Sequence, residues 1–396
     1  MAERMPRPAF EEALEIIRAA IEPIETEIVP TPEAFGRVTA AQVDARRNVP
    51  GFAMSAMDGF ALRSGDTESA PVRLRQVRPV YAGDRAPPLE IGTAAPIATG
   101  APIPEGADAV LVREQAEMDG DWLVVRRPVE KNRNVRQTGE DMVAGGRVLD
   151  AGAFLSPHAV GALAAFGVDR VEVRRRPRIG LISTGTELSG LGEGTGAAGL
   201  IDSNAPMIAA CAQALGLPAT FLGRAPDQAA AIDLLLDRSE GSDLVLSTGG
   251  VSAGDLDLVR GRLEARGARI LFHGVRMRPG KPLLFALLAD GRPYFGLPGN
   301  PVAALVGFRF FVIETLRAML GLVPEQGRQV SCNADPREGT TLILRGRRTD
   351  DPAVVDCALD QRPHVLSSTL HADCWVRLGE EDGKAEAFPM IPRFSA

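Results

Sequence analysis

The chain has 396 residues, of which 45% are apolar and 24% are charged, and its formal net charge is −7. This length predicts two to four domains, and the composition excludes a disordered chain. The negative net charge gives no general attraction to nucleic acid, so any anion has to be bound by a site built locally.

The sequence carries no signal for export or for a membrane. The first ten residues lack the apolar core of a signal peptide, and the most apolar long segment, residues 301–320, is interrupted by Arg309, Glu314 and Arg317. We therefore predict a cytoplasmic protein with no membrane span. The cysteines form no Cys-x-x-Cys pair and do not group with histidines, which favours free buried thiols over a zinc site.

The N-terminal half changes its pattern twice. Apolar residues follow helical spacing over residues 10–23, where Pro23 ends the helix, and helical spacing returns at 157–166. Between them, residues 71–148 show short strand-like runs separated by Gly, Pro and Asp. We therefore predict a β domain inserted into a discontinuous helical linker domain. The predicted boundaries are 1–50 and 142–176 for the linker domain and 51–141 for the insertion.

Beyond residue 177, strand-like and helix-like runs alternate, which predicts a parallel α/β sheet. The strand-like runs are 179–183, 244–247, 270–272 and 283–287, and the helix-like runs are 205–215, 228–236 and 256–265. After Pro324 the pattern is strand-like again, which suits a small C-terminal barrel or sandwich. The predicted fold is thus multidomain α/β plus β, with an α/β domain at 177–324 and a C-terminal β domain at 325–396.

Two related turns, Ser183-Thr184-Gly185 and Ser247-Thr248-Gly249-Gly250, each follow an apolar strand-like run. Both should lie at strand carboxyl ends, where open α/β sheets bind ligands. Glycine lets backbone amides approach phosphate oxygens, and hydroxyl groups add hydrogen bonds. A tight strand-to-helix connection explains either turn alone equally well, but their pairing favours a binding site. Neither turn matches a dinucleotide fingerprint or a P-loop.

Acidic residues adjoin both turns. Glu187 follows the first and Asp257 the second, and we predict that they hold Mg²⁺, which prefers one or two carboxylates together with substrate phosphate and water. Asp255 fits a helix N-cap better, because a helix-like run begins at Leu256. Capping also explains Asp227, which precedes Gln228.

Two further stretches, Arg278-Pro279-Gly280-Lys281-Pro282 and Gly296-Leu297-Pro298-Gly299-Asn300-Pro301, predict an oxyanion site. Arg278 and Lys281 supply charge on a backbone stiffened by two prolines. Asn300 as N-cap and Pro301 as first helical residue open a helix. The start of a helix offers amide N–H groups and the positive end of its dipole to an anion.

Three more stretches belong with these: Ser55-Ala56-Met57-Asp58-Gly59, Thr99-Gly100-Ala101-Pro102 and Thr138-Gly139-Glu140-Asp141. In their order along the chain, and over nearly its whole length, the stretches resemble those of the MoeA-type molybdopterin molybdotransferases. That family includes the E domain of gephyrin. The resemblance implies a MogA-like α/β domain and a Mg²⁺-dependent enzyme that takes adenylylated molybdopterin and molybdate to molybdenum cofactor and AMP. It also implies a homodimer, and contacts with a molybdopterin adenylyltransferase and with recipient molybdoenzymes.

The resemblance also implies roles for individual residues. Asp58, Thr99 and Asp141 match positions that face the α/β domain of the other subunit, although an Asp before Gly is by itself an ordinary turn residue. Asp58, Glu187 and Asp257 are implied as catalytic residues. The implied binding residues are Thr99, Asp141, Ser183, Thr184, Gly185, Asp227, Ser247, Gly249, Gly250, Arg278, Lys281, Pro282, Asn300, Pro301 and Arg345.

Three departures from the family pattern leave alternatives open. Many relatives have Lys in place of Arg278, some have Ser in place of Ala303, and Gln361-Arg362-Pro363-His364 stands where a Gly-Ser pair before His is usual. A paralogue with another oxyanion preference, such as tungstate, is one alternative. A non-catalytic cofactor carrier or scaffold is a second, and an adenylyltransferase, which shares the α/β domain type, is a third.

Overall fold

The computed structural model describes residues 7–193, 199–250, 258–380, 384–392 and 394. The chain begins with helix α1 (Phe10–Ala20), strand β1 (Thr26–Pro30), a 3-10 turn (Thr31–Glu33) and strand β2 (Val43–Asp44). The buried face of α1 packs into the central core, where the Phe10 and Phe311 ring centroids lie 5.0 Å apart. This helix therefore supports the α/β region and not a separate helical unit.

The next part of the chain is built from strands. In chain order they are β3 (Met54–Ser55), β4 (Gly59–Leu62), β5 (Val72–Gln76), β6 (Thr93–Ile97), β7 (Ala109–Val112), β8 (Glu117–Asp119), β9 (Trp122–Val125) and β10 (Val135–Arg136), with 3-10 turns at Ser64–Thr67 and Arg113–Gln115. One sheet has the order β7-β4-β6-β5-β9-β8, while β3 pairs with β10. The sheet covers its own apolar cluster, as predicted for a β domain.

The chain then returns to its N-terminal segment through β11 (Arg147–Leu149), α2 (Pro157–Ala165) and β12 (Arg170–Arg174). Strand β11 pairs with β2, and β12 pairs with β1, both antiparallel. Helix α2 begins at Ser156, whose Oγ accepts the backbone N–H of Ala159 at 3.2 Å. These pairings suit an inserted β domain, although the linker around α2 consists largely of two-stranded ladders. The exact domain boundaries stay a prediction.

The central region contains most of the helices. Its elements are β13 (Ile179–Thr184), β14 (Leu188–Ser189), β15 (Leu200–Ile201), α3 (Asn204–Ala214), β16 (Ala219–Ala225), α4 (Ala229–Arg238), β17 (Leu244–Thr248), α5 (Leu258–Ala265), β18 (Arg269–His273), β19 (Met277–Arg278), β20 (Leu284–Leu287), β21 (Pro293–Leu297), α6 (Pro301–Gly307) and α7 (Ile313–Met319). A π-helical turn (Phe308–Val312) joins α6 to α7, so one continuous helix follows β21.

The central sheet has the order β16-β13-β17-β21-β20-β18. Strands β16, β13, β17 and β21 are parallel, which confirms the predicted α/β sheet. The prediction is wrong for the run 283–287, because β20 pairs antiparallel with both of its neighbours, β18 and β21. Leu288 donates its N–H to the Arg292 carbonyl at 2.8 Å in a turn between β20 and β21, and this turn is too short for a helical crossover.

Alternation along the strands places the hydroxyl side chains on both faces of the sheet. Leu181 and Leu246 belong to the core shared with α3 and α6, whereas Ile182 and Val245 belong to the core shared with α4 and α5. Continuing the alternation, Ser183 and Thr248 lie on the first face.

The C-terminal region closes into a small barrel, as predicted. Its strands are β22 (Arg328–Cys332), β23 (Thr341–Arg348), β24 (Val354–Asp356), β25 (Cys374–Leu378) and β26 (Ala385–Pro389), with a 3-10 segment at Leu366–His371. The pairing runs β23-β24-β22-β26-β25 and back to β23. Strand β19 of the central region pairs with β23 in parallel, so two residues of the central region extend this sheet.

Arg309 ties the barrel to the continuous helix. This guanidinium is 2% exposed, binds both Glu325 carboxylate oxygens at 2.8 and 3.0 Å, and donates to the Pro389 carbonyl at 3.0 Å. The cysteines are free thiols, as predicted, and all but Cys332 are buried. Within the described residues, no helix has the length and apolar character needed to cross a membrane.

Candidate anion site at the carboxyl edge of the sheet

The two hydroxyl-glycine turns meet at adjacent strand ends, as predicted. Strands β13 and β17 are parallel neighbours, with Ser183 opposite Thr248. A Cβ on Gly249, whose φ is +85°, would lie 2.2 Å from the Thr184 carbonyl oxygen, so only glycine permits this approach. Thr184 Oγ1 in turn donates to the Thr248 carbonyl at 3.3 Å. The two turns are therefore in direct contact at the carboxyl edge of the sheet.

Ser247 stands out within this surface. It is fully buried, and within the described residues its Oγ has no hydrogen-bond partner. A buried hydroxyl without a partner is costly, so such groups are uncommon away from binding sites. The predicted binding residues Ser183 and Thr184 are buried as well, while Gly250 is half-buried.

The acidic residues beside the first turn are exposed. The Glu187 carboxylate folds over Gly185, where an added Cβ would lie 2.8 Å from both carboxylate oxygens. Its oxygens bind no other described side chain.

Asp227 Oδ2 accepts the N–H and hydroxyl of Thr186, both at 3.4 Å, and Thr186 Oγ1 accepts the Asp227 N–H at 3.1 Å. The capping interpretation of Asp227 is wrong, because Gln228 is the N-cap of α4. Thr186 was not predicted from the sequence.

The second predicted magnesium ligand, Asp257, lies outside the described residues, as does Asp255. No cluster of three or more His, Cys, Asp or Glu side chains suited to a metal occurs in the part of the chain that the structure describes. Of the two predicted ligands, only Glu187 is described, and a cation there would also need oxygens from the substrate and from water.

The predicted cationic loop projects between β19 and β20. Its base is closed by the Val275 N–H, which donates to the Lys281 carbonyl at 2.9 Å. Arg278 and Lys281 are exposed, and among the described residues neither side chain makes an ion pair or a hydrogen bond. Pro282 is half-buried behind them. Two cations without described carboxylate partners give this loop a local positive charge in a chain of net charge −7.

The helix start lies against both the loop and the second turn. A Cβ on Gly280 would lie 3.6 Å from the Ala303 carbonyl oxygen, and one on Gly299 would lie 3.8 Å from Gly249 Cα. Asn300 and Pro301 occupy the N-cap and first helical positions, as predicted, although the Asn300 side chain makes no capping hydrogen bond. The backbone of the cationic loop, the helix start and the second turn are therefore contiguous.

One amide at this helix start is already occupied. The Val302 N–H donates to the Pro363 carbonyl at 3.2 Å, so the C-terminal loop 361–365 reaches the anion site. The sequence signalled this segment only as a departure from the family pattern. The amide of Val302 is therefore not open to an anion in this conformation.

Arg345, the remaining predicted cation, is only 1% exposed. Its guanidinium donates to Gln361 Oε1 at 3.3 Å and to the Arg362 and Val365 carbonyls at 3.4 and 3.5 Å. Burial lowers the pKa of this guanidinium. This geometry gives Arg345 the role of holding the loop 361–365, and we leave it out of the oxyanion site.

Asp58 and Thr99 form a second cluster, in the β domain. Asp58 Oδ1 accepts the backbone N–H and the hydroxyl of Thr99, both at 2.8 Å. These two hydrogen bonds, the backbone one first, lower the pKa of Asp58. Asp141 is exposed, and its backbone N–H donates to Val49. The structure thus links Asp58 to Thr99, while neither residue bonds to the turns of the α/β sheet.

Fold and site together define a multidomain α/β protein with a candidate anion site at the carboxyl edge of its central sheet. Two family models match the chain: the "MoeA N-terminal region (domain I and II)" over residues 9–167 and the "probable molybdopterin binding domain" over residues 180–318.

Curated relatives and a solved structure agree with these matches. The molybdopterin molybdenumtransferase of Staphylococcus aureus (strain MRSA252) is 36% identical over 296 residues, which cover 73% of this chain and 70% of that protein. The enzyme of the same name from Synechococcus elongatus is 36% identical over 322 residues, covering 78% and 80%. The crystal structure of the molybdopterin biosynthesis MoeA protein from Pyrococcus horikoshii OT3 superposes with a TM-score of 0.81 at 28% identity, covering 96% and 98%. The chain belongs to the MoeA-type molybdopterin molybdenumtransferase family, and it is an enzyme of the transferase class.

Proposed function

We propose that this protein inserts molybdate into adenylylated molybdopterin and releases molybdenum cofactor and AMP. The observation that carries the proposal is that the helix start at Asn300 lies against both the second hydroxyl-glycine turn and the cationic loop. The paired hydroxyl-glycine turns suit a phosphate ester, and the cationic loop beside them suits a tetrahedral dianion. The names of the relatives supply molybdopterin as the substrate class.

In this scheme Arg278 and Lys281 hold molybdate, together with the helix start at Asn300 and Pro301. Their side chains have no partner in the described residues, so their charge is available. Fixed cations of this kind neutralise charge on the oxyanion as its oxygens are exchanged for the two sulfurs of the dithiolene. Pro282 and the contact of Gly280 with Ala303 keep the loop at a constant distance from the helix.

The nucleotide part of the substrate binds at the turns. Gly185, Gly249 and Gly250 let backbone amides approach the phosphates, and the Ser183, Thr184 and Ser247 hydroxyls add hydrogen bonds. The orphaned Ser247 Oγ gains a partner when the ligand binds. Asp227 steadies the first turn through Thr186, which leaves Asp227 a supporting role.

Glu187 and Asp257 are the residues we propose to hold Mg²⁺. The donor set near the turns fits this ion: Glu187 is an exposed carboxylate without a described partner, and Mg²⁺ takes its other ligands from phosphate and water. When bound, Mg²⁺ would polarise the pyrophosphate of the substrate. Asp58, kept ionised and oriented by Thr99, aligns the attacking group during cleavage of the phosphoanhydride.

We further propose a homodimer in which Asp58, Thr99 and Asp141 face the α/β domain of the other subunit. Within one chain, the described hydrogen bonds of these residues do not reach the turns, which supports a shared site. The cytoplasmic location, and contacts with an adenylyltransferase and with recipient molybdoenzymes, stay predictions.

The test is to mix purified protein with adenylylated molybdopterin, Mg²⁺ and molybdate, and to follow AMP release together with reconstitution of a cofactor-free molybdoenzyme. Molybdate-dependent AMP release that stops without Mg²⁺ is the expected result. Lys281→Ala should raise the KM for molybdate about tenfold, the effect of one lost charge-assisted hydrogen bond. The matched control is Lys131→Ala, an exposed lysine of the β domain that should leave this KM unchanged.

Two other results have defined meanings. If intact nucleotide binds but neither AMP nor active molybdoenzyme appears, even with tungstate, the protein is a carrier and the enzymatic proposal is wrong. If tungstate supports turnover and molybdate does not, the oxyanion assignment changes while the reaction class stands.

A further inference from the structure

Arg113 lies beside Asp58 at the edge of the β domain. It begins the short 3-10 turn that follows β7, and its backbone N–H donates to the Asp58 carbonyl at 3.1 Å. In the ladder of β4 with β7, Gly59 is opposite Val112. The residues just outside this pair, Asp58 and Arg113, are therefore neighbours across the two strands.

The close approach at Gly59 fixes this neighbourhood. A Cβ on Gly59 would lie 2.0 Å from the Leu111 carbonyl oxygen and 3.0 Å from Val112 Cα, both backbone atoms that cannot easily move. A side chain at this position would push the Asp58 turn away from β7. The glycine thus holds an acidic and a basic side chain at one place on the surface.

The two charged groups do not neutralise each other in an ion pair. Asp58 turns Oδ1 towards Thr99, which supplies two hydrogen bonds. Arg113 is exposed, and within the described residues its side chain makes neither a hydrogen bond nor a salt bridge. Arg126 in the same domain differs, because it binds both carboxylate oxygens of Glu117 at 2.7 and 2.9 Å. The charge of Arg113 is near enough to contribute, after the Thr99 hydrogen bonds, to the lowered pKa of Asp58.

We propose that Arg113 binds a phosphate group of the anionic substrate next to Asp58. A guanidinium presents a planar fork of donors that matches two phosphate oxygens. In a chain of net charge −7, a phosphoanhydride needs cations built into its site, and Arg278 and Lys281 already serve the oxyanion. Arg113 supplies that charge from the β domain, on the same surface as Asp58. This inference rests on the proposed function.

The test compares Arg113→Ala and Arg113→Lys with the wild-type protein. The matched control is Arg75→Ala, an exposed arginine on β5 of the same sheet. Affinity for adenylylated molybdopterin and for AMP is measured by equilibrium dialysis, and KM and kcat by AMP release. Arg113→Ala should weaken binding of adenylylated molybdopterin about tenfold, the effect expected for one charge-assisted hydrogen bond. Its KM for molybdate and its melting temperature should match those of the control.

Two features separate a phosphate contact from a structural role. The loss in affinity should shrink as salt is raised, because added ions screen an exposed charge. Arg113→Lys should recover part of the affinity, since it keeps the charge without the fork. Equal AMP affinities of Arg113→Ala and wild type would overturn the proposal, because AMP carries the phosphate that Arg113 is proposed to bind. An acid limb of the rate profile that moves to higher pH, with unchanged affinity, would also overturn it, because Arg113 would then act only on Asp58.

Measuring AMP binding separately from AMP release distinguishes failure of this inference from failure of the proposed function. If the wild-type protein releases no AMP from adenylylated molybdopterin, the proposed function is wrong. Weaker AMP binding by Arg113→Ala would still support the phosphate contact in that case. Tight AMP binding by both proteins would refute the phosphate contact even if turnover is normal.

Discussion

The contact between Gly249 and Thr184 can be tested by adding one methyl group. In Gly249→Ala the new Cβ would lie 2.2 Å from the Thr184 carbonyl oxygen, at a backbone φ of +85°. Gly241→Ala is a matched control, because Gly241 has the same φ of +85° and no atom of the described residues lies within 4 Å of its added Cβ. The control carries the backbone strain alone, and Gly249→Ala carries the strain plus the steric contact.

The magnitudes follow from these two geometries. Left-handed backbone strain costs an alanine about 1–2 kcal/mol, partly offset by about 0.4–1 kcal/mol because the unfolded chain has less freedom to lose. Gly241→Ala should therefore destabilise the domain by about 1 kcal/mol. The steric contact in Gly249→Ala forces a buried strand end to move, which adds about 1–3 kcal/mol. At about 2–4 °C per kcal/mol, Gly249→Ala should melt several degrees below Gly241→Ala.

Calorimetry of the two variants measures this difference, and hydrogen exchange of the β13 and β17 amides locates it. AMP affinity should fall in Gly249→Ala and stay normal in Gly241→Ala. Equal melting temperatures of the two variants would show that the contact between residue 249 and the Thr184 carbonyl oxygen does not affect stability. A destabilised Gly249→Ala protein that binds AMP normally would show that this turn is not part of the nucleotide site.

Two further predictions concern stability. Burial raises the pKa of Asp243, but hydrogen bonds from Arg175 and Arg178 outweigh this and lower it to about 2, below the unfolded value of 3.8. The carboxylate therefore stabilises the fold above pH 3.8 and loses this effect as pH falls towards 2, so Asp243→Asn should show a weaker loss of melting temperature with acid. Ser156→Ala removes the N-cap of α2 and should cost about 0.5–2 kcal/mol, and an unchanged melting temperature would contradict that role.

Much of the fold could be predicted from local pattern. The alternation of apolar runs located β13 and β17 to within one residue, because their side chains are buried and bounded by Gly, Asp or Pro. Whether neighbouring strands pair in parallel or antiparallel was harder to predict from the sequence. Strands β20 and β21 form a hairpin, yet the apolar run of β20 looks the same in parallel and antiparallel sheets. The short turn at 288–292 was the available signal.

The site could be predicted in part. The hydroxyl-glycine turns and the cationic loop follow from the chemistry of phosphate and oxyanion binding, and the structure brings them into contact. Arg345 shows the limit of residue type as a guide, because a charged side chain in a strand looks available until its burial is known. The contacts of Thr186 with Asp227 and of Pro363 with Val302 join distant parts of the chain, so neither had a local signature.

Strand β19 has a consequence for the modularity of this protein. Its two residues, Met277 and Arg278, extend the C-terminal barrel through their pairing with β23, and Arg278 is also a cation of the proposed oxyanion site. The barrel is therefore not an independent unit that recombination can exchange freely. A chimaera that takes residues 325–396 from a relative would replace the strand against which Arg278 is aligned, and its oxyanion preference would reflect both parents.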